Sequence, residues 1–190
     1  MALIKNISRL VVGAILIIGA TGMCFAQHPH PNGGKNHGTV ARPGKTTEFR
    51  DSIGRFVLWV PRNSSWNKLP GPPNEGMEFG LVKLSPRAYC LASAKDTATT
   101  LPQLDSTLRA RMDTSTTKIL KDEPYILEGR VCKHFEIQSI INGVPQIMSI
   151  FAYAGKGWTM KFAIWAAKEI VAKNPDVLLA PVAFLHILKP

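Results

Sequence analysis

Three residue types that can do chemistry alternate along one predicted strand, at Cys132, His134 and Glu136. Alternate residues of a strand project from the same face and lie ~6.6–7 Å apart. A cysteine beside a histidine could act as nucleophile and base, and the three side chains could bind a metal ion. Side chains on one flat strand point in parallel, however, and Gln138 continues the polar row. We therefore interpret the row as a polar face towards solvent, opposite an apolar face.

Histidines are also concentrated near the N-terminus, at His28, His30 and His37. Imidazole suits Cu(II), Ni(II) and Zn(II), so these three residues are candidate metal ligands. A structural zinc site needs four ligands on a fixed frame. Residues 27–45 are rich in Pro, Gly, Asn and Lys and have almost no apolar side chain with which to build one. The two hypotheses are a metal-binding tail and a disordered linker, and composition favours the linker.

The sequence contains no established catalytic motif. A nucleophile elbow, a Gly-rich phosphate loop and a His-Glu-x-x-His pair are absent from the 190 residues. The 13 acidic residues show no pattern typical of paired acid/base carboxylates. The sequence therefore predicts neither an enzyme nor a cofactor.

The chain is basic, with a formal net charge of +10 at pH 7. Its lysines and arginines are scattered and do not interleave with aromatic residues, as they do in nucleic-acid binders. We therefore expect no nucleic-acid partner. A basic surface remains compatible with an acidic protein partner and with weak association with an anionic membrane surface.

Residues 1–26 have the features of a secretory signal peptide. A charged start precedes the apolar segment Leu10–Ala20, whose roughly dozen residues fall short of the ~20 that a membrane-spanning helix needs. Small residues at Cys24 and Ala26 favour cleavage after Ala26. One alternative is acylation of Cys24, as in a lipoprotein, which the bulky Met23 before it disfavours, and the other is an uncleaved membrane anchor. We expect a periplasmic or secreted protein.

Cleavage would leave about 164 residues, enough for a single domain, which we place at residues 46–190. Cys90 and Cys132 would then be the two remaining cysteines, an even number in an oxidising compartment. A disulfide between them would close a loop of about 43 residues and stabilise the fold by about 4 kcal/mol. The alternative is two buried free thiols, and the sequence leaves both open.

Residue alternation predicts an antiparallel sheet. The predicted strands are residues 46–50, 55–61, 78–84, 87–95, 117–120, 125–127, 131–141, 144–154 and 158–166. Asn142-Gly143 between two of these strands predicts a type I′ hairpin turn, which needs positive φ at both positions. Glu123-Pro124 is expected to separate two short strands.

Two helices are predicted to cover this sheet. Thr100 and Gln103 form a capping box at the start of the first, which carries one stripe of Leu and Met residues. Asn174-Pro175 is typical of a helix start, so we expect a closing helix from there, kinked or restarted at Pro181. Shorter helical turns are expected at residues 63–66 and 168–173.

This order of elements resembles that of the PsbP-like superfamily. The residues that carry the resemblance are Phe56–Pro61 followed by Trp66, and Ile141–Val144 at the hairpin. The superfamily includes an extrinsic photosystem II protein, a Ran-binding nuclear import factor and exported bacterial proteins. The resemblance implies an α+β fold, a mostly antiparallel sheet sandwiched by helices (an α/β/α sandwich). It carries over no site residue.

Members of the superfamily are mostly binding or assembly factors without enzymatic activity. The resemblance and the missing catalytic motifs together predict an exported, non-enzymatic binding or assembly module of the bacterial cell envelope that contacts a protein partner. The alternative is a periplasmic protein that binds a metal or small ligand through the N-terminal histidines.

Overall fold

The computed structural model describes residues 44–69 and 77–189. The predicted signal peptide, nearly all of the predicted linker at residues 27–45, and His28, His30 and His37 lie outside these residues.

The described residues form ten strands, two α-helices and two 3-10 turns. In chain order the elements are β1 (Thr46–Arg50), β2 (Phe56–Pro61), β3 (Trp66–Lys68), β4 (Met77–Leu84), β5 (Arg87–Lys95), α1 (Leu101–Ala110), β6 (Thr117–Leu127), β7 (Arg130–Ile141), β8 (Val144–Gly155), β9 (Trp158–Ala167), α2 (Lys168–Lys173), the 3-10 turns Pro175–Leu178 and Ala180–Phe184, and β10 (Leu185–Ile187).

The strands make two antiparallel sheets. The large sheet has seven strands in the order β3-β4-β5-β9-β8-β7-β6, and the small sheet has three in the order β1-β2-β10. Most strands adjacent in the large sheet are also adjacent in the chain, so short turns connect them. The predicted α+β class with a mostly antiparallel sheet is confirmed.

The large sheet is covered on both faces. On one face, here called the helix face, Leu104 and Leu108 of α1 pack in a cluster with Phe135, Ile150 and Trp165 of the sheet. The opposite face, here called the small-sheet face, packs in a second cluster against β2, β10 and the 3-10 turns. Each face therefore contributes its own apolar core.

The two strongest local signals of the sequence are confirmed. The hairpin between β7 and β8 turns at Asn142 (φ 50°) and Gly143 (φ 77°). These positive angles are those of a type I′ turn, whose twist matches the flanking strands. Thr100 and Gln103 make both hydrogen bonds of the capping box at the start of α1.

Two local predictions were wrong. Residues 117–120 and 125–127 belong to one continuous strand, β6, which contains Pro124. Proline is tolerated there because β6 is the edge strand of the sheet that the described residues form, so its outer side makes no ladder hydrogen bond within that sheet. The helical turn predicted at residues 63–66 does not form, because residues 62–64 make a non-helical turn and Trp66 begins the short strand β3.

The predicted closing helix was also wrong. After α2, where the short helical turn was expected, the chain forms two 3-10 turns and then β10, which pairs with β2 through Leu185 and Leu58. Pro181 has no N–H to donate and disfavours a continuous helix through this segment. Val182 and Leu185 of this segment are buried. The small-sheet face is thus closed mainly by strands and tight turns.

No helix within residues 44–69 and 77–189 has the length and apolar character to span a membrane.

Candidate contact surface

The row of polar residues on β7 does not face solvent. Cys132 is fully buried and His134 is 2% exposed, both on the small-sheet face. Glu136 and Gln138, further along the row, are partly exposed. The interpretation of this row as a solvent-facing polar face was therefore wrong for Cys132 and His134, because the small-sheet face of β7 is covered at these two residues. Residue alternation alone does not tell which face of a strand is buried.

His134 instead joins polar groups from two neighbouring strands. Its Nε2 lies 3.2 Å from Oγ of Ser149 on β8, and its Nδ1 lies 3.3 Å from Oε1 of Glu123 on β6. The imidazole ring also stacks on Phe151, with 4.4 Å between ring centroids. Neither Ser149 nor Glu123 was a candidate site residue in the sequence analysis. The register between neighbouring strands places both beside His134, and residue spacing along the chain does not indicate this register.

The order Ser149–His134–Glu123 matches the order of groups in a hydrolase triad. Catalysis, however, requires a nucleophile that a substrate carbonyl can reach. Ser149 is 0% exposed beneath the small-sheet face. In this setting the hydrogen bonds satisfy polar side chains within an apolar core, which is the usual arrangement for buried polar groups.

Cys90 and Cys132 are both buried free thiols, which is the second of the two alternatives that the sequence leaves open, and the possible disulfide between them does not form. Cys90 is on β5 and Cys132 on β7, with β9 and β8 between these strands. Three interstrand spacings amount to about 14 Å, whereas a disulfide needs its Cα atoms within about 7 Å. Burial raises the pKa of Cys90, and it raises the pKa of Cys132 to about 11. Both thiols are therefore poor nucleophiles.

Metal ligands do not cluster in the described part of the chain. No group of three or more His, Cys, Asp or Glu residues there could hold a metal ion. The metal prediction for His28, His30 and His37 concerns residues outside that part.

A buried charge cluster centres on Arg55 at the start of β2. Its guanidinium contacts Asp51 at 2.7 Å, Glu78 at 2.9 Å and Asp96 at 2.7 Å. These acids come from the β1–β2 turn, from β4 and from the end of β5. The cluster therefore ties the small sheet to the large one, which is a structural role.

The helix face has an exposed part that α1 leaves uncovered. Ile126 of β6 and Val131 of β7 are direct cross-strand partners, and they are 61% and 54% exposed. Further along the same face of β7, Phe135 and Ile137 are buried. We call the pair Ile126 and Val131 the exposed strip.

Cations lie on the same face, towards the other side of the sheet. Lys161 of β9 pairs in register with Ser93 of β5, and Lys95 is two residues further along β5 on the same face. Such diagonal neighbours have Cβ atoms about 7–8 Å apart. Arg111 is the C-cap of α1. We call Lys95, Arg111 and Lys161 the basic cluster.

The charges and burial around Lys161 lower the pKa of its ammonium group. The pKa of Lys161 is lowered to about 8, first by burial and then by the positive charges of Lys95 and Arg111. Both causes disfavour the charged ammonium. Lys161 is thus a partly buried cation whose named neighbours are cations.

Two further cations on the helix face, Arg109 and Lys133, are paired with acids. Asp122 of β6 forms ion pairs with Arg109 of α1 and with Lys133 of β7. Arg109 also bonds to Asp105 at 3.1 Å. The pKa of Asp122 is lowered by its hydrogen bonds to Arg109 and Lys133, so this carboxylate stays charged and engaged. These acids therefore neutralise Arg109 and Lys133.

The fold is similar to that of several solved structures. The PsbP protein (CyanoP) of Synechocystis sp. PCC 6803 matches 81% of this chain and 98% of its own, at 13% identity and a TM-score of 0.56. LpqN of Mycobacterium tuberculosis, described as involved in cell envelope biogenesis, matches 70% of this chain and 83% of its own, at 14% identity and a TM-score of 0.52.

A protein from Bacteroides thetaiotaomicron matches 76% of this chain and 49% of its own, at 14% identity and a TM-score of 0.51. No family model matches the sequence, and no curated protein matches it. At these identities the likeness concerns architecture alone. Residues 44–69 and 77–189 have the PsbP-like fold.

Proposed function

We propose that the chain is an exported, non-enzymatic binding or assembly module of a bacterial cell envelope, and that it contacts a protein partner through the exposed strip. The observation that carries the proposal is the cross-strand pair Ile126 and Val131, each more than half exposed where α1 leaves the helix face uncovered.

The apolar character of the strip supports a protein contact. Aliphatic side chains that lie together on a sheet surface gain free energy when a partner removes them from water, by roughly 25 cal/mol per Å² buried. Contiguous exposed apolar surface of this kind is typical of interaction sites. The rigid sheet beneath the strip holds both side chains in place, so binding would cost little conformational entropy.

The setting of the strip supports an acidic partner. The chain carries a net charge of +10, and the basic cluster lies on the same face as the strip. Charge complementarity of this kind speeds association and selects partners. Export and the envelope setting rest on the features of residues 1–26 and on the fold shared with LpqN.

The burial of three candidate nucleophiles among residues 44–69 and 77–189 supports a non-enzymatic role. Ser149 is fully buried, and the thiols of Cys90 and Cys132 are buried with raised pKa values. Reactive nucleophiles need the opposite setting, with access to substrate and a lowered pKa or an adjacent base.

Affinity capture from intact cells after chemical crosslinking tests the proposal. The full chain is compared with the double variant Ile126→Gln/Val131→Gln, which makes the strip polar without deleting it. The matched control is Leu84→Gln, because Leu84 is also exposed (66%) and lies on β4, far from the strip in strand order.

We expect an envelope protein that the full chain and the Leu84 variant both capture and the double variant does not. The same set of captured proteins from all three chains would contradict the proposal.

A further inference from the structure

The turn between β7 and β8 extends beyond the rest of the large sheet. β6 pairs with β7 only as far as Ser139, opposite Thr117, and β9 pairs with β8 only as far as Gln146, opposite Ala167. Past these positions the described part of the chain places no further strand beside the hairpin. We call residues 140–145 the hairpin tip, which projects from one end of the sheet.

The hairpin tip is apolar on both faces. Ile140 pairs with Pro145 and Ile141 pairs with Val144, so the two pairs project from opposite faces of the hairpin. Ile140 and Val144 are 55% and 47% exposed, and no residue of the tip carries a charge. Exposed apolar surface of this kind is typical of sites that contact proteins or membranes. A flat protein surface would cover only one face of the tip, whereas lipid can surround both.

The turn itself sets how deeply the tip can enter a lipid layer. Asn142 and Gly143 have positive φ angles and close the hairpin with two exposed residues. Backbone groups of a turn cannot pair within hydrocarbon. The turn would therefore stop among the polar head groups, and the aliphatic side chains beside it would reach the boundary of the acyl chains.

Cations lie at the base of the hairpin tip. Lys118 of β6 pairs with Gln138 in register, so it is a diagonal neighbour of Ile140, about 7 Å away across the two strands. Lys168 begins α2 directly after Ala167, the last residue of β9. Both lysines are exposed, and no carboxylate among residues 44–69 and 77–189 forms an ion pair with either.

The acids near the tip are largely engaged. Glu136 pairs with Lys121 at 3.5 Å, and Asp113, before β6, accepts hydrogen bonds from two nearby hydroxyl groups. Glu169 is the single acid of α2, a helix that also contains two lysines. The base of the tip therefore keeps a surplus of positive charge, as the whole chain does with its net charge of +10.

We propose that the hairpin tip docks on an anionic lipid surface, with Ile140 and Val144 entering the interface and Lys118 and Lys168 binding head groups. Cations beside an apolar projection favour lipid, because anionic head groups attract the lysines while the acyl boundary receives the aliphatic side chains. The inference gives a surface to the membrane association that the sequence leaves open.

This docking goes beyond the proposed function and does not depend on it. Ile140 is nine residues from Val131 along β7, so the hairpin tip and the exposed strip are about 30 Å apart at opposite ends of the strand. A chain held by its tip would present the exposed strip away from the lipid, where a protein partner can reach it.

Sedimentation with lipid vesicles tests the docking on the full chain. One set of vesicles contains phosphatidylglycerol and phosphatidylcholine, and the other contains phosphatidylcholine alone. The variants are Ile140→Gln/Val144→Gln (the tip variant), Lys118→Gln and Ile126→Gln/Val131→Gln (the strip variant). The strip variant is the matched control, because it also replaces two aliphatic residues that are about half exposed. The N-terminal residues are identical in all chains, so their contribution to binding is common.

We expect the natural chain and the strip variant to bind anionic vesicles equally, and neutral vesicles at least tenfold more weakly. The tip variant should bind anionic vesicles about tenfold more weakly, because its polar side chains gain no free energy on leaving water. Lys118→Gln should weaken this binding about fivefold at low salt, with a smaller effect at high salt.

Fluorescence quenching by brominated phosphatidylglycerol locates the docking surface independently. The full chain carries Val144→Trp or, as the control, Val131→Trp. The four native tryptophans are each at most 8% exposed, so the lipid bromine reaches them poorly. We expect brominated vesicles to quench the chain with Val144→Trp and to leave the chain with Val131→Trp unquenched.

Equal binding of anionic vesicles by the natural chain and the tip variant would overturn the inference. Equal affinity for neutral vesicles, no vesicle binding, or equal quenching at the two positions would do the same. If the tip variant loses the captured envelope protein but keeps its vesicle binding, the tip is a protein contact and the inference fails. If the strip variant captures the same proteins as the natural chain while the tip variant loses vesicle binding, the proposed function fails and this inference stands.

Discussion

The guanidinium of Arg55 contacts the carboxylate of Asp51 at 2.7 Å, with side chains that are 5% and 0% exposed. The second oxygen of Asp51 accepts hydrogen bonds from the backbone N–H groups of Arg55 and Phe56. One carboxylate therefore holds both the turn and the start of β2. Because Arg55 also reaches Glu78 and Asp96, this contact supports the junction between the two sheets.

We expect Asp51→Ala to lower the free energy of unfolding by about 3 kcal/mol or more, because it leaves a buried arginine short of a partner. The matched control Asp96→Ala removes an acid from the same cluster, but Asp96 is 71% exposed and should matter by less than about 1 kcal/mol. Urea unfolding at pH 7 measures both, with an unchanged m-value as the sign of a pure stability effect. An equal decrease in the free energy of unfolding in the two variants would show that burial of the acid does not determine how much its contact with Arg55 stabilises the fold.

Ser149 should not react with an activated serine probe. Its hydroxyl is fully buried beside His134, so a fluorophosphonate cannot reach it in the folded protein. Incubation of the full chain with the probe, followed by peptide mass spectrometry, should show no label at Ser149. Labelling that disappears in His134→Gln would identify an activated nucleophile and contradict the non-enzymatic function.

The thiols of Cys90 and Cys132 should be protected from alkylation. Burial raises both pKa values, that of Cys132 to about 11, so little thiolate exists at pH 8 and reagent cannot enter. Iodoacetamide should modify neither cysteine in the folded protein at pH 8 and both in guanidinium chloride without reductant. A linked Cys90–Cys132 peptide from the non-reduced protein would contradict the separation of β5 and β7.

Lys161 should make stability depend on alkaline pH. Its folded pKa of about 8 lies below the ordinary value of 10.5, so between these pH values the unfolded chain binds more protons at this site. The free energy of unfolding therefore rises as pH increases from 8 to about 10.5. At pH 7 the Lys161 ammonium is charged in both states, so it destabilises the folded state by its full amount. The charged residues that share this part of the helix face are Lys95, Lys133, Arg109, Arg111 and Asp122.

Lys161→Met should consequently be more stable than the natural chain at pH 7, by about 1–3 kcal/mol, because it removes a partly buried charge. The difference should shrink as pH rises from 8 to 10. Urea unfolding at several pH values measures it, with Lys118→Gln as the control. A difference that stays constant with pH would show that Lys161 titrates normally.

The features that the sequence predicts correctly are local. Thr100 and Gln103 are three residues apart, and Asn142 and Gly143 are neighbours, so each signal depends on a few adjacent residues. The failures concern tertiary context. Pro124 is harmless because β6 is an edge strand, a position that no local pattern reveals.

The candidate contact surface also depends on tertiary context, which the sequence does not reveal. Ile126 and Val131 face each other across two strands, and Lys95, Arg111 and Lys161 come from β5, α1 and β9. Their proximity follows from strand register and from where α1 ends on the sheet. Cys132 and His134 were stronger candidates for a catalytic or metal site in the sequence, yet both are buried on the small-sheet face. Composition predicted the basic character of the surface but not its location.

Photo-crosslinking from position 131 in intact cells tests most directly whether the exposed strip contacts a protein. The full chain carries p-benzoyl-phenylalanine in place of Val131 or, as the control, in place of Leu84, and mass spectrometry identifies the joined peptide. We expect position 131 alone to crosslink to a segment of one envelope protein. Equal crosslinking from both positions, or none from position 131, would contradict the proposed contact.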